Sequence, residues 1–268
     1  MGKLVSAFAC SHAPQIVTNP SITNEYFQEV KEVQKGIVQI GKKLKDCETQ
    51  ILLMIGADHL ESLFLDNYPS ILVPFCSTTK GQMAGEKYEY EIDYDFAEST
   101  LTGLIERGFD VSFSQEFKLD HPFRSPLKWI EQEFICPILP IHINSNVPPV
   151  ITKKRAFEFG IAIRDIIQKD TPADLNVSVL GTGGLSHFPG TPMYGKVDVD
   201  FDRKFLEMIE TGKGEKILEV SDRDLQLSGN LEIRTWIAAM GTTGTNRGKV
   251  LFQVPTFHID YAAVEFEI

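Results

Sequence analysis

The chain has 268 residues, 43% hydrophobic and 24% charged, with a formal net charge of −11. That size supports a large buried core, while the acidic balance excludes a nucleic-acid partner, because neutralising phosphates requires clustered Lys and Arg. No apolar run reaches the roughly 20 residues that span a bilayer, so no membrane partner is expected. The four cysteines, Cys10, Cys47, Cys76 and Cys136, lack C-x-x-C spacing, and the first residues run straight into a strand pattern too short for a signal peptide. Reduced thiols and a cytoplasmic location are the expectation.

In chain order the pattern alternates as a βα-layered fold requires. Residues 3–9 read as a strand and 22–47 as a long helix with an apolar stripe at Phe27, Val30, Val33, Ile37, Ile40 and Leu44. Residues 51–55 form an apolar strand of the kind covered on both faces, and 71–75 another. The polar stretch 77–90 reads as an excursion or hairpin, followed by a helix at 93–107 and a short strand at 111–113. A helix near 126–134, a strand at 138–143, a helix at 152–168, a strand at 176–180 and a helix at 199–210 come next. The last quarter holds a helix at 231–240, a Gly/Thr-rich loop at 241–248 and strands at 250–254 and 261–266. The prediction is one α/β domain over residues 1–268, with a central mixed, largely parallel sheet flanked by helices.

Three of the six histidines, His12, His59 and His187, each sit just past a predicted strand. Strands that end together bring such residues into one crevice. Two histidines and a carboxylate with open positions form the arrangement that holds non-haem Fe(II). Glu232, in the first turn of an apolar helix, is the candidate third ligand; the alternative is an ordinary acid favoured by the helix dipole. His187, if not itself a ligand, offers an imidazole able to accept and return a proton beside such a metal. Gly181, Gly183 and Gly184 permit a tight turn and close backbone approach around His187. His142 and His258 read as structural, and Asp58 and Asp120 as turn formers, the alternative being that they orient the loops or the groups that support the histidines.

Ser-His-x-Pro at residue 11, Asp-His at 58, Asp-His-x-x-x-x-Pro-Leu at 120, Gly-x-Gly-Gly-Leu-Ser-His at 181 and Leu-Glu-x-x-x-Trp at 231 occur in that order. Together, from residue 11 to about 240, they resemble the class III extradiol ring-cleavage dioxygenases. The resemblance implies His12, His59 and Glu232 as Fe(II) ligands, His187 as catalytic base and His121 as a second acid or base. Pro122 stands where many members of that family carry Gly. Arg124 becomes a candidate for binding a substrate carboxylate bidentately, against the alternative of a solvated arginine, and Thr182 and Gly184 are candidate substrate contacts.

The expected activity is insertion of both atoms of O2 into an aromatic diol or aminophenol, with meta cleavage to a muconic-semialdehyde-type product. Two other readings use the same residues: a metal-dependent hydrolase, since this donor set also holds zinc, and a non-catalytic metal-binding relative. The resemblance implies assembly as a homo-oligomer or as a hetero-oligomer with a small helical subunit.

Overall fold

The computed structural model describes residues 1–18 and 22–268. The first half of the chain forms β1 (Lys3–Cys10), α1 (Gln15–Thr18), α2 (Asn24–Asp46), β2 (Ile51–Gly56), β3 (Ile71–Pro74), β4 (Thr78–Met83), β5 (Glu86–Glu91), α3 (Tyr94–Glu106), β6 (Ser112–Ser114) and α4 (His121–Ile130). The second half forms β7 (Ile138–Ile143), α5 (Lys153–Lys169), β8 (Asn176–Thr182), α6 (Val199–Glu210), α7 (Asp222–Ser228), α8 (Ile233–Gly241), β9 (Gly248–Pro255) and β10 (Asp260–Phe266), with a 3-10 turn at Gly214–Glu219.

Eight strands pair in the order β6-β3-β7-β2-β8-β1-β10-β9, and β4 and β5 make a separate hairpin. The central strands β7, β2, β8 and β1 are parallel, while β3 and β10 run antiparallel to their inner neighbours. The mixed, largely parallel sheet and the 77–90 hairpin expected from the pattern are therefore present. β2 and β7 are buried along their whole length, as strands covered on both faces must be. One face packs against α3, α5, α6 and α8 and the other against α2 and α4, giving two apolar clusters.

Local chemistry explains the boundaries. Thr23 caps α2 by accepting from Tyr26 N at 3.1 Å, and Tyr26 rather than Phe27 starts its buried stripe. α4 begins five residues earlier than expected, because Asp120 caps it and Pro122 falls in the first turn, where a missing N–H costs nothing. α1, α7 and the 3-10 turn, none longer than seven residues, are too short for a helical period to be visible in sequence.

α5 and α8 meet at two glycines. A Cβ on Gly160 would lie 2.0 Å from Ala238 O, and one on Gly241 would lie 2.3 Å from Phe157 O. This near-contact of backbones sets how deeply α8 sits under the sheet. Gly160→Ala is expected to lower stability by about 1–3 kcal/mol despite the better helix propensity of alanine, because backbone must move to admit the methyl group. Urea denaturation of the variant beside the parent protein measures that loss.

Candidate active site

β8 lies between β2 and β1, in registers that pair Ile55 with Gly181 and Cys10 with Thr182. The three parallel strands thus end level, and the residues after each enter one crevice. His12 follows β1, His59 follows β2, and His187 hangs from the loop after β8. Glu232 arrives from the opposite side, immediately before α8. Trp236 on α8 donates to Gly183 O at 2.8 Å, and a Cβ at Gly183 would stand 2.8 Å from Glu232 O. Only glycine at 183 lets the helix approach closely enough to deliver the carboxylate.

The Glu232 carboxylate is 3% exposed and sits among three imidazoles. Its Oε1 is 2.8 Å from His59 Nε2, and its Oε2 is 3.2 Å from His12 Nε2 and 3.7 Å from His187 Nε2. Gly184 N donates to Oε2 at 2.7 Å, and Asn146 Nδ2 lies 3.3 Å from Oε1 and 3.2 Å from His59 Nε2. The His121 ring stands 4.4 Å from that of His59 and 5.6 Å from that of His12, centroid to centroid. His121 Nδ1 is held by Asp120 at 2.8 Å and Glu61 at 3.2 Å, and Asp120 also accepts from His59 N at 3.0 Å.

Burial alone would raise the Glu232 carboxyl, but the imidazoles of His12 and His187 and the hydrogen bonds from His12 and His59 hold it well below the usual carboxylate range. Burial alone would lower His59, yet the bonds to Asp120 and Glu232 and their charges lift it to about 10. Asp120 is likewise held low against its burial, by His121 and His59. His12 goes the other way, with burial outweighing the pull of Glu232. The centre is built to hold positive charge between carboxylates.

Two imidazole Nε2 atoms and one buried carboxylate converging from three elements fit a divalent metal of the Fe(II) or Zn class, with coordination positions left for exogenous ligands. His12, His59 and His121 also offer one ring nitrogen each within 4.8 Å of one another. We favour Glu232 over His121 as third donor, because Nδ1 of His121 is engaged by two carboxylates whereas Glu232 faces Nε2 of both other histidines.

Two cavities flank this cluster. One of about 360 Å³ is bordered by His59, His187 and Glu232 together with Leu60, Val147, Phe188 and Leu231. The other, about 160 Å³, is bordered by His12, His59, His121, His187, Tyr194 and His258. His59, His187 and Pro189 are shared between them.

The remaining expected positions fall differently. Arg124 is not brought to the cluster: it is 4% exposed, and its guanidinium donates to Tyr90 Oη and, at 2.8 Å, to Glu131 Oε2, with Glu86 3.6 Å away. The partners that bind it come from β5 and the end of α4, so the carboxylate receptor expected there is already satisfied within the protein. Thr182 is fully buried at the end of β8 and lines neither cavity, and the Gly184 amide is spent on Glu232. Asp58 does close its own turn, accepting from the amides of Leu60, Ser62 and Leu63 at 2.9–3.1 Å. His142 accepts from Asp58 N at 3.0 Å and backs that loop. Sequence reasoning missed Asn146 and Glu61, ranked a turn role for Asp120 above support of the histidines, and placed His258 outside the site. His258 precedes β10, and an antiparallel neighbour delivers to this edge the residue before its start, whereas the strand-end rule looks only at residues after a strand.

Comparison with known proteins gives a matching picture. The family model described as the catalytic LigB subunit of aromatic ring-opening dioxygenase matches residues 6–263. A 2,3-dihydroxyphenylpropionate/2,3-dihydroxicinnamic acid 1,2-dioxygenase from Photorhabdus laumondii is 30% identical over 177 residues, covering 66% of this chain and 55% of that one. Proteins of the same description from Pseudomonas putida and Escherichia coli are 28% identical over 197 residues (73% of this chain, 60% of that one) and 22% identical over 267 residues (81% and 84%). The chain thus spans about half the length of the first of these relatives.

Proposed function

The chain belongs to the family of the catalytic LigB subunit of aromatic ring-opening dioxygenase, and we propose that it is a non-haem Fe(II)-dependent extradiol dioxygenase acting on a catechol-type or aminophenol-type ring. The observation that carries this reading is the meeting of His12, His59 and Glu232 at the level ends of β1, β2 and β8, with two further histidines in reach and a cavity on either side. His12, His59 and Glu232 would hold the iron. Fe(II), when bound, supplies the point at which the deprotonated ring and O2 are brought together and exchange electrons.

The protein's own part is proton management and exclusion of water. His187 Nδ1 lies 2.8 Å from Leu185 O; since a carbonyl only accepts, Nδ1 carries the proton and Nε2 presents a lone pair. His187 borders both cavities and is the base that takes a proton from a ring hydroxyl. His121 has the opposite character. Burial would lower it, but Asp120 and Glu61 outweigh burial and raise it, which favours its protonated form and suits it to return a proton to substrate oxygen. Leu60, Val147, Phe188 and Leu231 give the larger cavity an apolar lining. The matched description is of a subunit, which supports assembly with copies of this chain or with a small helical partner. Four unpaired cysteines support a reducing, cytoplasmic setting. Among the described residues, no helix is long and apolar enough to cross a membrane.

The test is oxygen uptake with parallel visible absorbance, using protein loaded anaerobically with Fe(II) and a panel of catechols and aminophenols. One O2 consumed per ring with a yellow product is the expected result. His187→Ala is expected to slow turnover by about 10²-fold or more while leaving iron content unchanged, the magnitude of a lost general base. Stoichiometric iron with no oxygen uptake on any ring would overturn the reading.

A further inference from the structure

The walls of the larger cavity carry a statement about substrate charge. Beyond His59 and His187, its border combines apolar side chains with three neutral polar residues, Asn146, Thr191 and Gln226, and its acids, Asp58 and Glu232, are already engaged. Among the described residues, no Lys or Arg lines either cavity. Arg124, three residues from His121, is bound by Tyr90, Glu131 and Glu86 instead. Lys196, beside Phe188, directs its ammonium at Leu227 O, 3.1 Å away, and stands 5.6 Å from the Phe188 ring centroid. A carboxylate taken from water onto the wall of Leu60, Val147, Phe188 and Leu231 would meet no Lys or Arg, and the imidazole of His59 on the same border is already committed to Glu232 and Asp120, so the desolvation would be uncompensated.

Resting on the dioxygenase reading above, we infer that the substrate is a catechol or aminophenol whose ring substituent is uncharged, directed at Leu60, Val147, Phe188 and Leu231, and that the chain discriminates against acidic substituents. Relatives described by an acid substrate match it at 22–30% identity, which leaves room for the substituent wall to have changed. Discrimination here arises from what the pocket fails to offer a charge, a difference between two ligands of nearly the same shape.

The experiment compares 3-(2,3-dihydroxyphenyl)propionate with its primary amide, which differ in charge and little in volume. Turnover by the Fe(II)-loaded protein and anaerobic calorimetric binding to the same protein are both measured. The amide is expected to exceed the acid by at least about 10-fold in kcat/KM and in affinity. Gln226→Arg, an exposed change on α7 that adds a cation to the wall, is expected to reverse the order. An acid that binds or turns over as well as the amide overturns the inference, as does failure to bind either. If neither is opened but the amide still binds more tightly, the charge inference stands and the dioxygenase reading falls, so the two failures are told apart.

Discussion

Glu232→Gln is expected to give a folded protein that no longer retains Fe(II), with affinity reduced by more than about 100-fold and ring opening lost. Outer residues that merely orient metal ligands already change affinity by about 10–100-fold when removed, so loss of the charged ligand itself must exceed that range. Glutamine keeps the oxygen that accepts from Gly184 N at 2.7 Å, which preserves the turn between β8 and His187. What it removes is the negative charge facing the Nε2 atoms of His12 and His59 at 3.2 and 2.8 Å. Without that charge, His59 also loses one of the partners that raise it to about 10. Anaerobic iron titration with thermal unfolding of the metal-free protein checks both halves. Tight iron binding by this variant would move the third ligand to His121, the other donor within range.

Much of this centre was legible because it obeys a topological rule. His12, His59 and His187 follow apolar runs, and parallel strands must end on the same edge if each is followed by a crossover. Glu232 could be placed only by its position after a Ser-Gly-Asn turn at the head of an apolar helix. The reason it reaches the site lies in the contacts of Gly183 with Thr235 and Glu232, which no periodicity encodes. The central sheet and the long helices were equally legible, since burial on both faces and a 3.6-residue period leave strong patterns.

The failures have physical causes too. Arg124 lies three residues from His121, and nearness in sequence suggested a shared task. Its head group is instead captured by Glu131, just past the end of the same helix, and by Tyr90, whose approach depends on how the β4–β5 hairpin packs on α4. Pairing across such distances leaves no mark in a single sequence. Asp120 looked like a turn former and is one, capping α4, but the same carboxylate reaches His59 N and His121 Nδ1. A short acidic side chain at a helix start can serve both roles only when a second strand end is beside it.

Asp202→Ala is expected to lower the unfolding free energy by about 3–5 kcal/mol near pH 5, the largest stability effect anticipated for a residue outside the histidine cluster. Asp202, in the first turn of α6, is fully buried and accepts from Ser186 N at 3.2 Å, from Ser186 Oγ, and from Asn230 Nδ2 at 2.8 Å. Those donors flank His187 and Glu232 respectively, so this one carboxylate ties the loop of His187 to the segment of Glu232. Alanine would strand all three donors. Asp260 is buried beside it, also bonded to Gln253 Nε2 at 2.6 Å, and its amide donates to Ser186 O at 3.2 Å. Burial, with the charge of Asp260 adding to it, raises Asp202 to about 8, and burial raises Asp260 to about 6. The folded protein therefore binds protons here that the unfolded chain, with carboxyls near 3.8, has already released. Stability from the pair is complete below about pH 4 and is lost as pH rises through about 6 and 8. Asp202→Asn, which cannot ionise, should flatten that decline between pH 5 and 8 while costing less than alanine. Urea unfolding at pH 5, 6.5 and 8 reads the slopes directly, and an unchanged slope in the asparagine variant would show that the two carboxyls do not hold a proton between them.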